Sequence, residues 1–435
     1  MATLAVEEAD RQALHTISAK FTEEVLLEVL QKFAKRKDVC LSCYKVCSAT
    51  SKGDNYLSSV WRISIEGASK PGDEKYSMSL IVKSLPPNIG RRKTFRSLDF
   101  FGNEVAFYEK VLSKFMAFQE KKKPKHPFIE IPGFYKALVD GENDFISLED
   151  LAPAGYKSTS RLEGLDYAHT SMAMKILARF HALSFAIRDQ EPDMFREMVD
   201  SLQEVYYKPA LKPWYKNMLD KFVSLATDAM AQEMPGSVYE EKLRQLVAGE
   251  DFFDRICKLV ADSREPHGVI SHGDAWSSNF MFLYPGGDAT SSPLAARMID
   301  YQIVRCSSPV LDLSFFLYSC TGQELREKHY DGLMREYHTA LSELIAELGS
   351  NPDRVYPFSA FQKELATYSK YGLYMALESL PMSLLSEEDA PDIDLIDGDD
   401  AVPLEQIWSL KPIKTQAGRL RICNMVKHLM QCGFV

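Results

Sequence analysis

Apolar and polar positions alternate in two registers along this chain, and the register changes near residue 150. Residues 22–35 carry Val25, Leu26, Val29, Leu30 and Phe33 at a spacing of three and four, which predicts an amphipathic helix with Thr22 at its N-cap. Residues 38–48 and 57–65 are predicted strands; in the second, Leu57, Val60, Ile63 and Ile65 carry the alternation. Between them, Ala49 to Tyr56 reads as a turn-rich loop. A short apolar strand at 77–85 stops at Pro86-Pro87, a helical period covers 97–115, and the Lys/Pro segment 120–127 reads as a loop. Strands are predicted near 128–139 and 144–150.

Beyond that point the period is helical. It runs through Met172, Ile176, Leu177 and Phe180 in 166–188 and recurs at 196–222, 237–261, 309–320, 323–348, 358–385 and 415–431. Short strands interrupt near 269–271, 279–284 and 295–305. The fold class expected is therefore α+β, with a β-rich lobe over 1–150 and an α-rich lobe over 151–435.

Composition narrows the function. The 435 residues carry 51 basic against 61 acidic side chains, a net charge of −10, which argues against nucleic acid or an anionic membrane as the main partner. A small basic pocket remains compatible with that balance. Residues 386–400 alone hold eight acids, and with Pro391 and Gly398 they read as a solvated loop or a flap. The N-terminus has no basic segment before an apolar run, so no secretory signal is expected. The apolar run Leu311 to Cys320 is too short to span a bilayer. Cys40-x-x-Cys43 has no matching second half, and reduced thiols in a cytoplasmic protein are expected. No obligate protein partner is evident.

The chain has no Walker A loop, no GxGxxG, no GxSxG and no HExxH. What it has is VISHGDAWSSNFMF at 269–282 and ARMIDYQIV at 296–304, two apolar strands that each deliver an aspartate at a turn. Asp274 and Asn279 have the spacing of a kinase catalytic loop, and Asp300 follows where the metal-binding aspartate of a kinase stands. Phosphoryl transfer requires a placed hydroxyl and neutralisation of developing charge. Asn279 and Asp300 supply hard oxygen ligands for Mg²⁺, and Asp274 stays free to accept the hydroxyl proton. A lone HGD tripeptide equally serves as a turn, and His272-x-Asp274 also has metal-ligand spacing; the two further residues at these offsets favour phosphoryl transfer.

The β-rich lobe carries matching parts. Lys83 sits in the apolar strand LIVKSL, where an ammonium needs an anion; a nucleotide phosphate or Glu104 fits, unless the lysine reaches solvent at a strand edge. The loop 51–56 lies where a phosphate-covering loop belongs, and Asn55, Ser58 and Ser59 are near it. Glu149, Asp150 and Leu151 end the last strand of this lobe, where backbone groups of a hinge can read adenine.

With GDNYLS at 53–58, IVKSLP at 81–86, NEVAFY at 103–108, LEDL at 148–151, LARFHALSF at 177–185, HGDAWSSNFMF at 272–282 and IDYQIVRCSSPVLDLSFFL at 299–317, the chain resembles the ecdysteroid kinase-like (CHK kinase-like) family. That family belongs with choline and aminoglycoside kinases in the protein-kinase-like fold. The resemblance implies a two-lobed kinase using ATP and Mg²⁺ on a small-molecule alcohol. Asp274 is then the catalytic aspartate, Asn279 and Asp300 the metal ligands, and Lys83 with Glu104 the phosphate-binding pair. Asn55 and Ser58 are the loop contacts, Glu149 to Leu151 the hinge, and His272 and Asp312 the supports of the catalytic loop. Asp312 has a second reading as a helix N-cap before Leu313. The acceptor implied is an ecdysteroid-type steroid or a hydroxylated xenobiotic, which points to steroid hormone metabolism or detoxification. A choline- or aminoglycoside-like kinase for a cationic alcohol and a non-catalytic nucleotide-binding module are the alternatives. The stripe Phe361, Tyr368, Tyr371, Tyr374, Met375 and Met382 either lines the acceptor pocket or is plain core.

Overall fold

The computed structural model describes residues 6–49, 57–69, 75–160, 162–385, 393, 396–408 and 410–435. The chain divides into two compact units. The first gathers residues 1–105, 132–155 and 391–403; the second gathers 106–131, 156–390 and 404–435.

The first unit is built on five antiparallel strands: β1 (Cys40–Ser48), β2 (Ser59–Ala68), β3 (Lys75–Ser84), β4 (Phe134–Leu138) and β5 (Phe145–Glu149), in the order β1-β2-β3-β5-β4. Helices Glu8–Ile17 and Glu23–Ala34 cover one face through Leu14, Ile17, Leu26, Val29 and Leu30, which meet Ile63, Ile65, Leu80 and Val82. Phe33, placed in the buried stripe by its spacing, is 43% exposed instead. The strand predicted over 128–139 shrinks to β4, since Pro132 and Gly133 interrupt its start. Of the acidic stretch 386–400, residues 386–392, 394 and 395 lie outside the described residues. Its later part is docked: the Asn88 side chain donates to the Ile396 carbonyl at 3.0 Å, and the Gly90 N–H to the Gly398 carbonyl at 3.1 Å.

The second unit is mostly helical. Tyr167–Gln190 lies along Gln323–Glu347, and Pro309–Cys320 packs on Lys370–Ser383. The last pair is close because Gly372 has no side chain: a Cβ there would stand 2.4 Å from the Ser314 carbonyl oxygen. Three predicted helices are each divided. The 196–222 pattern becomes Pro192–Asp200 and Lys212–Glu233, separated by a stretch containing Pro209. The 237–261 pattern breaks at Gly249, which adopts φ +92°, and the 358–385 pattern breaks at Ser369. Short strands complete the unit: β6 (Tyr156–Ser158) with β8 (Phe280–Leu283) and β9 (Ala295–Met298), and β7 (Val269–Ser271) with β10 (Arg305–Ser307). The expected 295–305 strand is thus cut in two by a turn, which holds Asp300. No helix among the described residues is long and apolar enough to cross a membrane.

Candidate active site

Strand β7 ends at Ser271, and His272-Gly273-Asp274 turns sharply away from it. Gly273 makes the turn possible with φ +80°, and a Cβ there would lie 2.1 Å from the Ile303 carbonyl oxygen. The loop is held by Asp312, buried in the first turn of helix Pro309–Cys320. Its carboxylate accepts the N–H of His272 at 2.6 Å and of Gly273 at 2.8 Å, and lies 3.0 Å from His181 Nε2. His181 is in turn 2.9 Å from the Tyr337 hydroxyl. Ser308, not Asp312, caps the helix, accepting the Val310 N–H. Burial alone would raise the Asp312 pKa, but the His181 hydrogen bond and charge outweigh it and hold the carboxyl below its usual range. Burial lowers the His272 pKa, which keeps its ring neutral. Its Nδ1 accepts the Asp274 N–H at 3.3 Å, so its Nε2–H donates to the Ile299 carbonyl at 3.0 Å.

That scaffold brings Asp274 and Asn279 together. Asn279 closes the short turn Ser277–Asn279, and its Nδ2 donates to the Asp274 carboxylate at 2.8 Å and to the Asp274 carbonyl at 2.9 Å. Its backbone carbonyl accepts the Ile299 N–H at 3.0 Å, which joins this turn to the one carrying Asp300. Asp300 adopts φ +69°, a conformation a non-glycine residue holds only when its surroundings impose it. Burial, and then the charge of Asp300, push the Asp274 pKa up to about 7, against the opposing Asn279 hydrogen bond. Asp274 is therefore a carboxyl poised to take a proton near neutrality.

The donor chemistry here fits a hard divalent cation. Because both Asn279 hydrogen bonds to Asp274 come from its amide nitrogen, its Oδ1 is turned to the other side, and Asp300 adds a carboxylate. Two protein oxygens of this kind suit Mg²⁺ that is completed by phosphates and water. Among the described residues no cluster of three or more His, Cys, Asp or Glu is arranged to hold a metal alone.

In the first unit, Lys83 lies on β3 opposite Ile146 of β5, and its ammonium is 2.8 and 3.0 Å from the two oxygens of Glu104. Glu104 is fully buried in helix Ser97–Ala106. Ser58 is 2% exposed, and its Oγ has no hydrogen-bond partner among the described residues. Asn55 lies outside the described residues. Glu149 and Asp150 are bound into the unit: the Glu149 N–H meets the Gly133 carbonyl at 2.8 Å, and the Asp150 N–H meets the Ser79 carbonyl at 3.2 Å. The Asp150 carboxylate pairs with Arg62 at 2.6 Å and accepts from Ser79 Oγ at 2.8 Å. Leu151 follows, buried.

A model of the ecdysteroid kinase-like family matches residues 52–350, a span that includes all of these groups. The chain belongs to that family. As an ecdysteroid kinase-like protein it is a small-molecule kinase, a phosphotransferase with an alcohol acceptor. Its sheet-based unit and helical unit are those of the α+β, protein-kinase-like fold. No curated protein matches it. Among solved structures it is similar to an ethanolamine kinase of Plasmodium vivax, with 12% identity over 87% of this chain and 96% of that one, at a TM-score of 0.37. It is also similar to a wild-type aminoglycoside 2'-phosphotransferase-IIIa solved with GDP, with 12% identity over 82% of this chain and 97% of that one, at a TM-score of 0.32.

Several groups beside the loop have no role that the sequence alone reveals. His181 falls inside a stretch shared with the family, yet nothing in its neighbourhood marks it as the partner of Asp312. Arg305, 3% exposed, pairs with Glu204 at 3.3 Å. Glu378 on helix Lys370–Ser383 is partly accessible and takes hydrogen bonds from the hydroxyls of Tyr206 and Tyr215. The apolar stripe of the 358–385 region is largely core, with Phe361, Tyr371, Tyr374 and Met375 all buried. The informative member of that helix is its acid.

Proposed function

We propose that this ecdysteroid kinase-like protein transfers the γ-phosphoryl group of ATP, in the presence of Mg²⁺, to a hydroxyl of an ecdysteroid-type steroid or of a hydroxylated xenobiotic. The observation that carries the reading is the convergence of Asp274, Asn279 and the Asp300 turn on one loop scaffold. Asp274 orients the acceptor hydroxyl and takes its proton as the oxygen attacks phosphorus. The Asn279 amide holds the Asp274 side chain in place, so the base does not rotate away. Lys83, steadied by Glu104, holds the donor phosphates; Leu151 and the carbonyls around it meet the adenine edge, because the N–H groups of Glu149 and Asp150 are already used. Asn55 and Ser58 contact the phosphates from the β1–β2 connection. Asn279 and Asp300 hold Mg²⁺, which when bound neutralises charge that develops on the phosphoryl oxygens.

The family's description supports the steroid reading, and with it a place in steroid hormone metabolism or detoxification. Eight cysteines without a disulfide suit a cytoplasmic protein. The test uses labelled ATP and Mg²⁺ with a panel of hydroxylated steroids, phenols, glycosides and amino alcohols. Asp274→Asn and Asp300→Asn are expected to lower transfer by about 10²–10⁴-fold. Equal transfer by wild type and both variants rejects the site. Nucleotide binding without transfer to any acceptor rejects catalysis and leaves a binding module.

A further inference from the structure

Most enclosed acids of the second unit have a basic side chain from the same chain. Glu204 meets Arg305 at 3.3 Å, Glu233 meets Arg419 at 2.7 Å, Glu240 meets Arg244 at 2.5 Å, Glu364 lies 2.8 Å from His267, and Asp312 lies 3.0 Å from His181. Glu378 departs from this rule. Its carboxylate accepts the Tyr206 hydroxyl at 2.8 and 2.7 Å and the Tyr215 hydroxyl, and among the described residues it forms no ion pair. Two phenols orient a carboxylate and satisfy part of its hydrogen-bonding capacity, but they bring no positive charge. Burial raises the Glu378 pKa, although the residue as a whole is half-buried rather than fully enclosed.

The walls beside it are aromatic. The Tyr206 ring lies 4.9 Å from Tyr215, 4.9 Å from Tyr207 and 5.8 Å from Trp214, measured between centroids. The electron-rich faces of such rings, unlike their electropositive edges, favour a cation when a carboxylate stands among them. The position is also tied to the catalytic loop. Ser379, next to Glu378, meets Ser319 at 2.6 Å, and the adjacent Cys320 thiol lies against Ser277, three residues from Asp274. The charge of Glu378 in turn contributes to the raised pKa of Asp274.

We propose that Glu378, braced by Tyr206 and Tyr215 and walled by Tyr207 and Trp214, is a specificity-determining carboxylate of the acceptor pocket and takes a protonated nitrogen carried by the alcohol that is phosphorylated. The inference rests on the assignment of phosphoryl transfer to Asp274. Among the hydroxylated xenobiotics of that reading, it favours those that bear a basic nitrogen. The nitrogen completes the charge pair that the chain leaves open, and its anchorage places the hydroxyl toward Asp274.

The experiment compares matched acceptors, an amine against its uncharged carbon isostere, on small aliphatic, aromatic and steroid-sized scaffolds; dimethylaminoethanol against isoamyl alcohol is the smallest pair. Binding to the nucleotide-loaded protein and phosphate transfer are both measured. Wild type is expected to favour the amine of at least one pair by about tenfold or more. Glu378→Gln is expected to raise the KM of that amine about ten- to hundredfold, with kcat and the isostere changed by less than about threefold. Tyr206→Phe and Tyr215→Phe shift the same preference more weakly, and they carry the test if Glu378→Gln does not fold. No amine preference in any pair, or an equal loss for amine and isostere, overturns the inference while leaving the kinase reading intact. Glu378-dependent amine binding without any transfer supports the subsite and rejects the transfer reading.

Discussion

Replacing Asp312 by Asn measures how strongly the His272–Asp274 loop is held. Asp312 is 1% exposed and serves three donors: the N–H groups of His272 and Gly273 at 2.6 and 2.8 Å, and His181 at 3.0 Å. Hydrogen bonds to a charged acceptor contribute roughly 1.5–3 kcal/mol each, and an orphaned buried donor costs about 1–3 kcal/mol. His272 and His181 share one carboxylate oxygen, so an Asn side chain does best by keeping its oxygen there. Its amide nitrogen then faces the Gly273 N–H, donor against donor. One charged bond is lost, one buried N–H is left unpaired, and the two remaining bonds lose their ionic character. The expected loss is on the order of 3–5 kcal/mol. Urea unfolding followed by tryptophan fluorescence reads it directly, since Trp276 sits on the loop. His181→Gln is the second arm of a double-mutant cycle, with an expected coupling of about 1 kcal/mol or more. The pH dependence follows from the depressed Asp312 pKa. The unfolded chain holds the proton more tightly, so this stabilisation is complete above the ordinary carboxylate range and is lost as pH falls through the folded value. Asp312→Asn removes that acid-side slope. A variant within about 0.5 kcal/mol of wild type, with no coupling to His181, refutes the reasoning.

Gly273→Ala puts a Cβ 2.1 Å from the Ile303 carbonyl oxygen and forces a side chain into φ +80°, so a stability loss of about 2 kcal/mol or more is expected, with transfer falling further than nucleotide affinity. A Gly273→Ala protein as stable and active as wild type contradicts that geometry. His428, hydrogen-bonded to Tyr318 at 3.0 Å, is pushed down to about 4 by burial and by Arg326. It therefore charges more readily in the unfolded chain, and stability falls as pH drops from about 6.5 towards 4, by on the order of 3 kcal/mol in all. Urea melts at successive pH values should show this slope in wild type and a flatter one in His428→Gln; parallel slopes dispose of it.

Hydrophobic period reveals which elements exist better than where they stop. The period of 196–222 runs on through residues that the chain cannot keep helical, because Pro209 interrupts the backbone while the apolar spacing continues around it. Gly249 does the same in 237–261. The turn that divides 295–305 is the instructive case. Nothing in the apolar run Met298-Ile299 foretells that Asp300 will take up a left-handed conformation, since that cost is met only by the tertiary frame around it. That Asp274 and Asn279 share one turn, joined to the turn of Asp300, was legible because the three lie within two short strands and the turns that follow them. Lys83 and Glu104 were legible because an ammonium in an apolar strand demands an acid.

Glu378 was not legible, because its setting is assembled from residues far away in sequence. Tyr206 and Tyr215 stand 172 and 163 positions from it, and no spacing rule operates at that range. Its contrast with Asp312 shows what a structure adds. Both are enclosed acids on the two helices packed at Gly372, Pro309–Cys320 and Lys370–Ser383. Asp312 receives two backbone N–H groups and an imidazole, a set that satisfies its oxygens within the chain and suits a residue that holds a loop. Glu378 receives two phenols and, among the described residues, no cation, and it is only half-buried. At that depth an uncompensated carboxyl tends to keep its proton, the direction in which its pKa is shifted, and a cation that supplies the missing charge favours the ionised form. Under the proposed phosphoryl transfer at Asp274, that supplier is the nitrogen of the acceptor.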